Sequence, residues 1–256
     1  VEPKVHFPFI GFEFLTPLAG PTMYAYFGVM ALLGLMIMAG FYYRVVTPLF
    51  AILWTASYLM QKVSYNNHHY LYALLAVFMC IVPAHRYYSI DAKRNPSIKD
   101  ETCPQWCIWI FIVQVVIIYT YAAIAKFNAD WLAARPLSIW FEAKSYYVIG
   151  DLLVQKWFQY AVAYGGILFD LLVAPMLLWK RTRLFALTVS LIFHVFNSYT
   201  FEIGTFPYVA LALTVFFFEP QELKKYFFKY KLDLVPTPQA HPYTARQRAG
   251  LVICCV

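Results

Sequence analysis

The chain has 256 residues, of which 62% are apolar, 20% are aromatic and only 13% are charged. Soluble proteins have about 45–50% apolar and about 25% charged residues, so this composition excludes a disordered chain and predicts a membrane protein. The net charge of +7 does not indicate a nucleic-acid-binding protein, because the basic residues lie in short segments between apolar runs. Five cysteines without a dense framework exclude a disulfide scaffold.

Apolar stretches along the chain are candidates for membrane helices. A helix needs about 20 mostly apolar residues to cross a bilayer, since each residue adds about 1.5 Å to a path of about 30 Å. In chain order the predicted helices are residues 23–41, 45–61, 63–85, 102–125, 157–179, 184–201 and 203–218. We therefore predict an all-α fold, a multipass transmembrane helix bundle of about seven to eight helices. The part at 70–83 is short for a crossing, so a spanning helix and a re-entrant helix both stay open.

The domain organisation follows the same pattern. Residues 1–220 are predicted to form a transmembrane domain, residues 221–248 a polar connector, and residues 249–256 the start of a further, truncated helix. We expect the chain to be part of a longer protein, because it starts without Met and stops inside an apolar run.

The distribution of basic residues predicts a membrane topology. Alternate connections between the predicted helices differ in lysine and arginine content, and the richer set is expected to face the cytoplasm. The N-terminus of the chain then lies on the outer side. Residues 126–156 mix aromatic and charged side chains, so we expect them to form an amphipathic layer at the outer interface.

Lys126 ends the clearest predicted helix, one turn after Ala122 and Ala123. An ionisable group inside a bilayer costs several kcal/mol unless it is paired or hydrated, so such a group is a functional hypothesis by default. Lys126 either reaches the headgroups or pairs with Asp130, or it is a neutral amine among apolar groups that acts as a general base. The two interpretations require opposite charge states.

Histidine and asparagine side chains mark three further places. His85 follows a predicted helix end at Pro83, where it is either a packed interfacial residue or a group that moves a proton. His194 and Asn197 are three residues apart and face one side of a helix, where they bond to a neighbouring helix or line a cavity. Asn67 and His68 stand at a helix start, where capping is the simpler role.

Asp170 lies in the middle of a predicted span. A carboxyl group there is expected to be protonated or to accept a hydrogen bond from a tyrosine of a neighbouring helix. We predict no metal, because the spacing of Cys103 and Cys107 is wrong for a zinc site and no second pair follows. Together these residues predict a polar cavity in an aromatic-rich bundle, suited to a flat, hydrophobic ligand.

Five segments resemble the transmembrane domain of the vitamin K-dependent gamma-carboxylase family, and they occur in the family's order between about residue 7 and residue 220. The segments are NNHHYLY at 66–72, PAHRYYSID at 83–91, AKFNADW at 125–131, YGGILFD at 164–170, and FHVFNS at 193–198 followed by FEIGTF. The second and fifth segments are more similar to bacterial members than to vertebrate ones. The resemblance therefore implies a multipass protein of the bacterial inner membrane rather than of the endoplasmic reticulum.

The resemblance implies a carbon–carbon lyase that couples epoxidation of vitamin K hydroquinone to carboxylation of protein glutamate, with O2 and CO2 as co-substrates. Lys126 matches the family's base, and His85 matches a histidine that assists oxygenation. The residues that we predict to bind substrate are His194, Asn197, Asn67 and His68. The expected partners are membrane lipid, the hydrophobic quinol and a glutamate-containing protein, with no nucleic acid.

The chain differs from vertebrate members of the family in two features that bear on its function. Vertebrate members have two adjacent lysines where this chain has Ala125 and Lys126, so the base is kept but its cationic neighbour is lost. The family's large lumenal domain is absent from this chain, so oxygenation without carboxylation is one expectation. A non-catalytic membrane module that binds a quinone or a lipid is the alternative. A full crossing by residues 66–83 would also put His85 and Lys126 at opposite membrane faces.

Overall fold

The computed structural model describes residues 6–201, 203–220 and 222–223, and within these residues it contains helices and no strand. The longer helices are α1 (Pro21–Ala39), α2 (Tyr43–Leu59), α3 (Asn67–Ile81), α5 (Trp106–Lys126), α9 (Lys156–Leu178), α10 (Arg183–Phe201) and α11 (Phe206–Thr214). The short helices are α4 (Ile90–Arg94), α6 (Ala129–Leu132), α7 (Arg135–Glu142) and α8 (Gly150–Leu153).

The prediction of an all-α membrane bundle is confirmed. Each of the predicted helices that lies in the described residues has a counterpart, and α1, α5, α9 and α10 are long and apolar enough to cross a membrane. Many large apolar side chains point outward, as a bilayer requires; Tyr24 and Met38 on α1 are each more than three-quarters exposed. Apart from residues 222–223, the predicted connector and the helix near Ala249 lie outside the described residues.

Local sequence explains where the first and third helices begin and end. Pro21 stands in the first turn of α1, and Gly40 ends it in the left-handed conformation with φ of 60°. A Cβ atom at Gly40 would lie only 2.3 Å from the Cβ atom of Ser89, so this position needs glycine. The Asn66 side chain accepts the His68 N–H and caps α3, whose end precedes Pro83.

The third helix is one continuous antiparallel partner of α2. Trp54 Nε1 donates to the His69 carbonyl at 3.0 Å near one end of the pair. Tyr43 Oη donates to the Met79 carbonyl at 2.8 Å near the other end. Because α3 runs along α2 without turning back, the two ends of α3 lie about 22 Å apart. Residues 67–81 thus do not turn back within α3, and this helix is shorter than the four that are long enough to cross a membrane.

Helices α5, α9, α10 and α11 form a closed four-helix ring, in which each helix packs against two others. Helix α3 joins the ring where Phe78 meets Phe111 edge-on at 6.0 Å between ring centroids. One half of the ring is filled by buried side chains, namely Phe111, Val115, Leu177 and Leu213. We call this half the packed end, and the opposite half, towards the start of α3, the cavity end.

The segment between α5 and α9 folds into the short helices α6, α7 and α8, which cover the cavity end. Leu137, Phe141 and Leu153 from this layer are fully buried and pack with Ala163 of α9. The predicted amphipathic layer thus has its own apolar contact with the bundle. The first compact unit of the chain ends at Phe217.

Candidate functional site

A cavity of about 1090 Å³ lies at the cavity end of the bundle. Its wall is built from the start of α3, the last turns of α5, the α6–α7 layer, α9, the end of α10 and the start of α11. Ligand pockets in proteins commonly enclose about 300–1,000 Å³, so this cavity accommodates a drug-sized molecule. Most of the wall is apolar and aromatic, and a few polar groups face one another across it.

Lys126 and Asp170 form an ion pair on the cavity wall. The Lys126 ammonium donates to the Asp170 carboxylate and also to the Ala122 carbonyl at 3.3 Å. The exposed fractions of the two side chains are 20% for Lys126 and 4% for Asp170, so water screens this pair little. The Lys126 nitrogen also lies 5.3 Å from the centre of the Trp131 ring, at cation–π distance.

The structure contradicts the proposed pairing of Lys126 with Asp130. Helix α5 ends at Lys126, and Asn128 then caps α6 by accepting the Trp131 N–H at 2.9 Å. Because the helix is broken between them, Lys126 and Asp130 do not share a helical face. Asp130 instead accepts a hydrogen bond from Arg135 at 2.7 Å on the exposed surface.

The hydrogen-bond partner of Asp170 also differs from the expected tyrosine. Asp170 receives its hydrogen bond from Lys126, a residue 44 positions earlier in the chain. The buried Tyr119 hydroxyl instead lies 2.9 Å from His194 Nε2. The polar pairs of the cavity wall thus include one between α5 and α9 and one between α5 and α10.

His194 and Asn197 both line the cavity, as their three-residue spacing on α10 predicts. His194 is only 1% exposed, and its Nδ1 atom has no hydrogen-bond partner within the described part of the chain. Asn67 and His68, at the start of α3, line the same cavity; His68 stacks on Phe206 with 4.0 Å between ring centroids. The structure thus brings Lys126, His194, Asn197, Asn67 and His68 to one cavity. Their binding and catalytic roles stay predictions.

The structure does not bring His85 to this cavity. His85 is buried in the connection between α3 and α4, where it stacks on Tyr43 with 5.0 Å between ring centroids. Burial, together with the nearby Arg44, lowers the pKa of His85. The length of α3 separates His85 from the cavity end by about 22 Å. His85 and Lys126 therefore lie at opposite ends of the bundle and do not reach one substrate atom.

Three residues beside the amine were missed by the sequence analysis. Trp131 Nε1 donates to the Ala163 carbonyl at 3.1 Å, which holds the ring next to Lys126. Gly166 leaves space there, since a Cβ atom would lie 3.8 Å from Lys126 Cε and 3.9 Å from Trp131. Tyr119 stands seven residues before Lys126, and this spacing was a signal that both share one helical face.

In residues 6–201, 203–220 and 222–223 there is no group of three or more His, Cys, Asp or Glu side chains arranged to hold a metal ion. The polar groups of the cavity wall include two amines, a carboxylate, imidazoles, amides and phenols. Such groups bind and move protons, and they donate hydrogen bonds to the oxygen atoms of a bound ring.

Comparison with known proteins identifies the family of this chain. No solved structure matches the chain. The HTTM domain matches residues 1–221, which is well over half of the chain and includes the whole cavity wall. The match and the four apolar helices describe a membrane-embedded protein. The chain therefore belongs to the HTTM family, the transmembrane domain of the vitamin K-dependent gamma-carboxylases.

Proposed function

We propose that this chain is a gamma-carboxylase-like membrane enzyme that binds vitamin K hydroquinone in the cavity and oxygenates it to the epoxide. The observation that carries the proposal is a shielded Lys126–Asp170 pair on the wall of an aromatic cavity of about 1090 Å³. In this reaction a base removes a phenolic proton and O2 adds to the quinolate ring. The peroxide so formed rearranges with cleavage of its O–O bond to an alkoxide, which removes a glutamyl γ-proton, and the glutamyl carbanion adds CO2.

The cavity supports a fused-ring quinol by its size and its wall. Its volume slightly exceeds the common range for ligand pockets, so a bicyclic ring and part of an apolar tail fit. Trp131, Trp140 and Phe206 offer flat apolar faces on which an aromatic ring stacks. His194, Asn197, Asn67 and His68 are the polar groups that we assign to binding the quinol oxygens.

Lys126 is the residue that we assign to proton removal, because its amine faces the cavity and is largely shielded from water. His85 takes no part in this site, since it lies at the other end of the bundle. Its predicted role in oxygenation therefore has no geometric support from the cavity.

The distribution of basic residues supports an orientation of the protein in the membrane. The described connections at the packed end contain most of the basic residues, which favours a cytoplasmic location for that end. The cavity then opens towards the outer face of a bacterial inner membrane, where the N-terminus of the chain also lies. A glutamate-containing protein substrate approaches from that face, in contact with the α6–α8 layer.

Quinol epoxidation by the full-length protein in membranes tests the function. We expect oxygen-dependent epoxide formation, a loss of about 100-fold or more in Lys126→Ala, and partial rescue of that variant by a small exogenous amine. The matched control is Lys156→Ala, an exposed lysine at the start of α9. Unchanged activity in Lys126→Ala would remove the lysine as the base.

A non-catalytic module that binds a quinone or a lipid is the second candidate. The contact between Lys126 and Asp170 favours it, because a charged amine held by a carboxylate is not a free base. This function predicts a bound hydrophobic ligand in the purified protein and no consumption of O2. Measuring ligand content and oxygen uptake on one sample separates the two candidates.

A further inference from the structure

We infer that Asp170 shares the reactive proton with Lys126, so that the proton acceptor of the cavity is the Lys126–Asp170 dyad rather than a lone amine. The inference rests on the proposed quinol chemistry and deepens it. It assigns a part in that chemistry to a mid-membrane carboxylate for which the sequence analysis expected only a structural role.

The first support is the shielding of this pair. Among the ion pairs of the described residues, the Arg86–Asp100 side chains are 39% and 34% exposed, and the Arg135–Asp130 side chains are 71% and 64% exposed. The corresponding values for Lys126 and Asp170 are 20% and 4%. Of these three ion pairs the dyad has the least access to water, and it faces the cavity where the ligand is proposed to bind.

The second support is the charge of the site. An unpaired ammonium or carboxylate is strongly disfavoured in a low-dielectric environment, whereas the pair has no net charge. The net charge stays zero whether the shared proton is on nitrogen or on oxygen. Because the proton stays within the pair, this mechanism does not require a free neutral amine in the resting protein.

The proton step balances in either form of the dyad. The quinol O–H bond breaks, its electron pair stays on the quinol oxygen, and the proton bonds to the free site of the dyad. If the resting pair is ammonium and carboxylate, the proton goes to Asp170; if it is amine and carboxylic acid, it goes to Lys126. Both routes end with an ammonium, a neutral carboxyl group and a quinolate anion. The ammonium then pairs with the quinolate, so the dyad and the quinol together keep a net charge of zero.

A lone-amine mechanism makes the opposite prediction for Asp170. Removing a neighbouring carboxylate disfavours the ammonium form, so a lone base would become more available and Asp170→Asn would keep or exceed the wild-type activity. In the dyad mechanism the same substitution removes one of the two proton sites and the counter-charge. Asn and Asp have nearly the same shape, so the cavity keeps its volume.

The decisive experiment compares Asp170→Asn with Asp130→Asn in the full-length protein. We expect Asp170→Asn to lower kcat for quinol epoxidation by at least about 100-fold with KM changed by no more than a few-fold. Asp130→Asn, which breaks only the exposed pair with Arg135, should behave as wild type. Activity in Asp170→Asn equal to or above wild type would overturn the dyad.

A second measurement does not depend on turnover. In Lys126→Met the buried carboxylate loses its cation and should take up a proton, which gives an infrared C=O band of a protonated carboxyl group. The double variant Lys126→Met with Asp170→Asn should lack that band. A spectrum without the band in Lys126→Met would overturn proton sharing. If the band is present but the wild-type protein consumes no quinol, the proposed function is contradicted and the shared proton is not.

Discussion

Gly166 is the residue where a single substitution should block the cavity without disturbing the helix. Its Cβ position lies in ordinary van der Waals contact with Lys126 and Trp131, so a leucine enters the cavity and adds three more carbons beyond Cβ. One methylene group in a pocket changes binding by about 1–3 kcal/mol. We therefore expect Gly166→Leu to weaken quinol binding by at least about 2 kcal/mol, roughly 30-fold in Kd.

The neighbouring Gly165 is the matched control. It is exposed on the outside of α9, and no atom lies within 4 Å of its Cβ position. Both substitutions replace glycine inside the same helix, so each gains about 1 kcal/mol of helix propensity and neither should lower the melting temperature. Quenching of tryptophan fluorescence by a naphthoquinone, with Trp131 and Trp140 in the wall, measures the Kd. Wild-type binding by Gly166→Leu, or equal losses in both variants, would refute this position for the ligand.

Three predictions concern stability, each read from thermal unfolding in detergent. Because burial and Arg44 lower the pKa of His85, the folded state prefers the neutral ring, so the stabilisation is present above about pH 6.5 and is lost as the pH falls below it. His85→Asn should reduce the loss of stability at acidic pH. If the melting temperatures of wild type and variant fall equally with pH, His85 is not the group responsible. Asn66→Ala removes the cap of α3 and should lower the free energy of unfolding by about 1 kcal/mol; an unchanged midpoint would show that the cap contributes nothing. Gly40→Ala combines a left-handed backbone with a Cβ clash and should destabilise by more than about 1 kcal/mol, whereas Gly34→Ala, which meets only a contact at 4.0 Å, should not. Equal midpoints for these two glycine variants would contradict the close approach at Gly40.

The positions of the helices were predictable because the apolar runs are long and their ends carry local signals. The helix predicted at residues 23–41 spans Pro21–Ala39 in the structure, with proline at its start and glycine just after its end. Two helices start four residues later than predicted: α5 begins at Trp106 instead of residue 102, and α3 begins at Asn67 instead of residue 63. A short 3-10 turn, Lys62–Ser64, precedes the Asn66 cap, and a hydropathy pattern does not distinguish such a turn from a helix.

The candidate site was only partly predictable, because sequence periodicity relates residues within a few turns of one helix. It placed His194 and Asn197 on one face, and both line the cavity. The same periodicity suggested Asp130 as the partner of Lys126, because that carboxylate is four residues further along the chain. The partner in the structure comes from α9, and the contact depends on how α5 and α9 pack. Such a pairing across 44 residues leaves no trace in local spacing.

The packed end of the four-helix ring has a bioenergetic consequence. Between α5 and α11 the described residues leave a void of about 10 Å³, at the lower limit for one water molecule and too small for a chain of waters. In the proposed mechanism we therefore expect the protons of the dyad to exchange through the mouth of the cavity, on one side of the membrane. Because no charge crosses the bilayer during such a cycle, catalysis should be electroneutral and indifferent to the membrane potential.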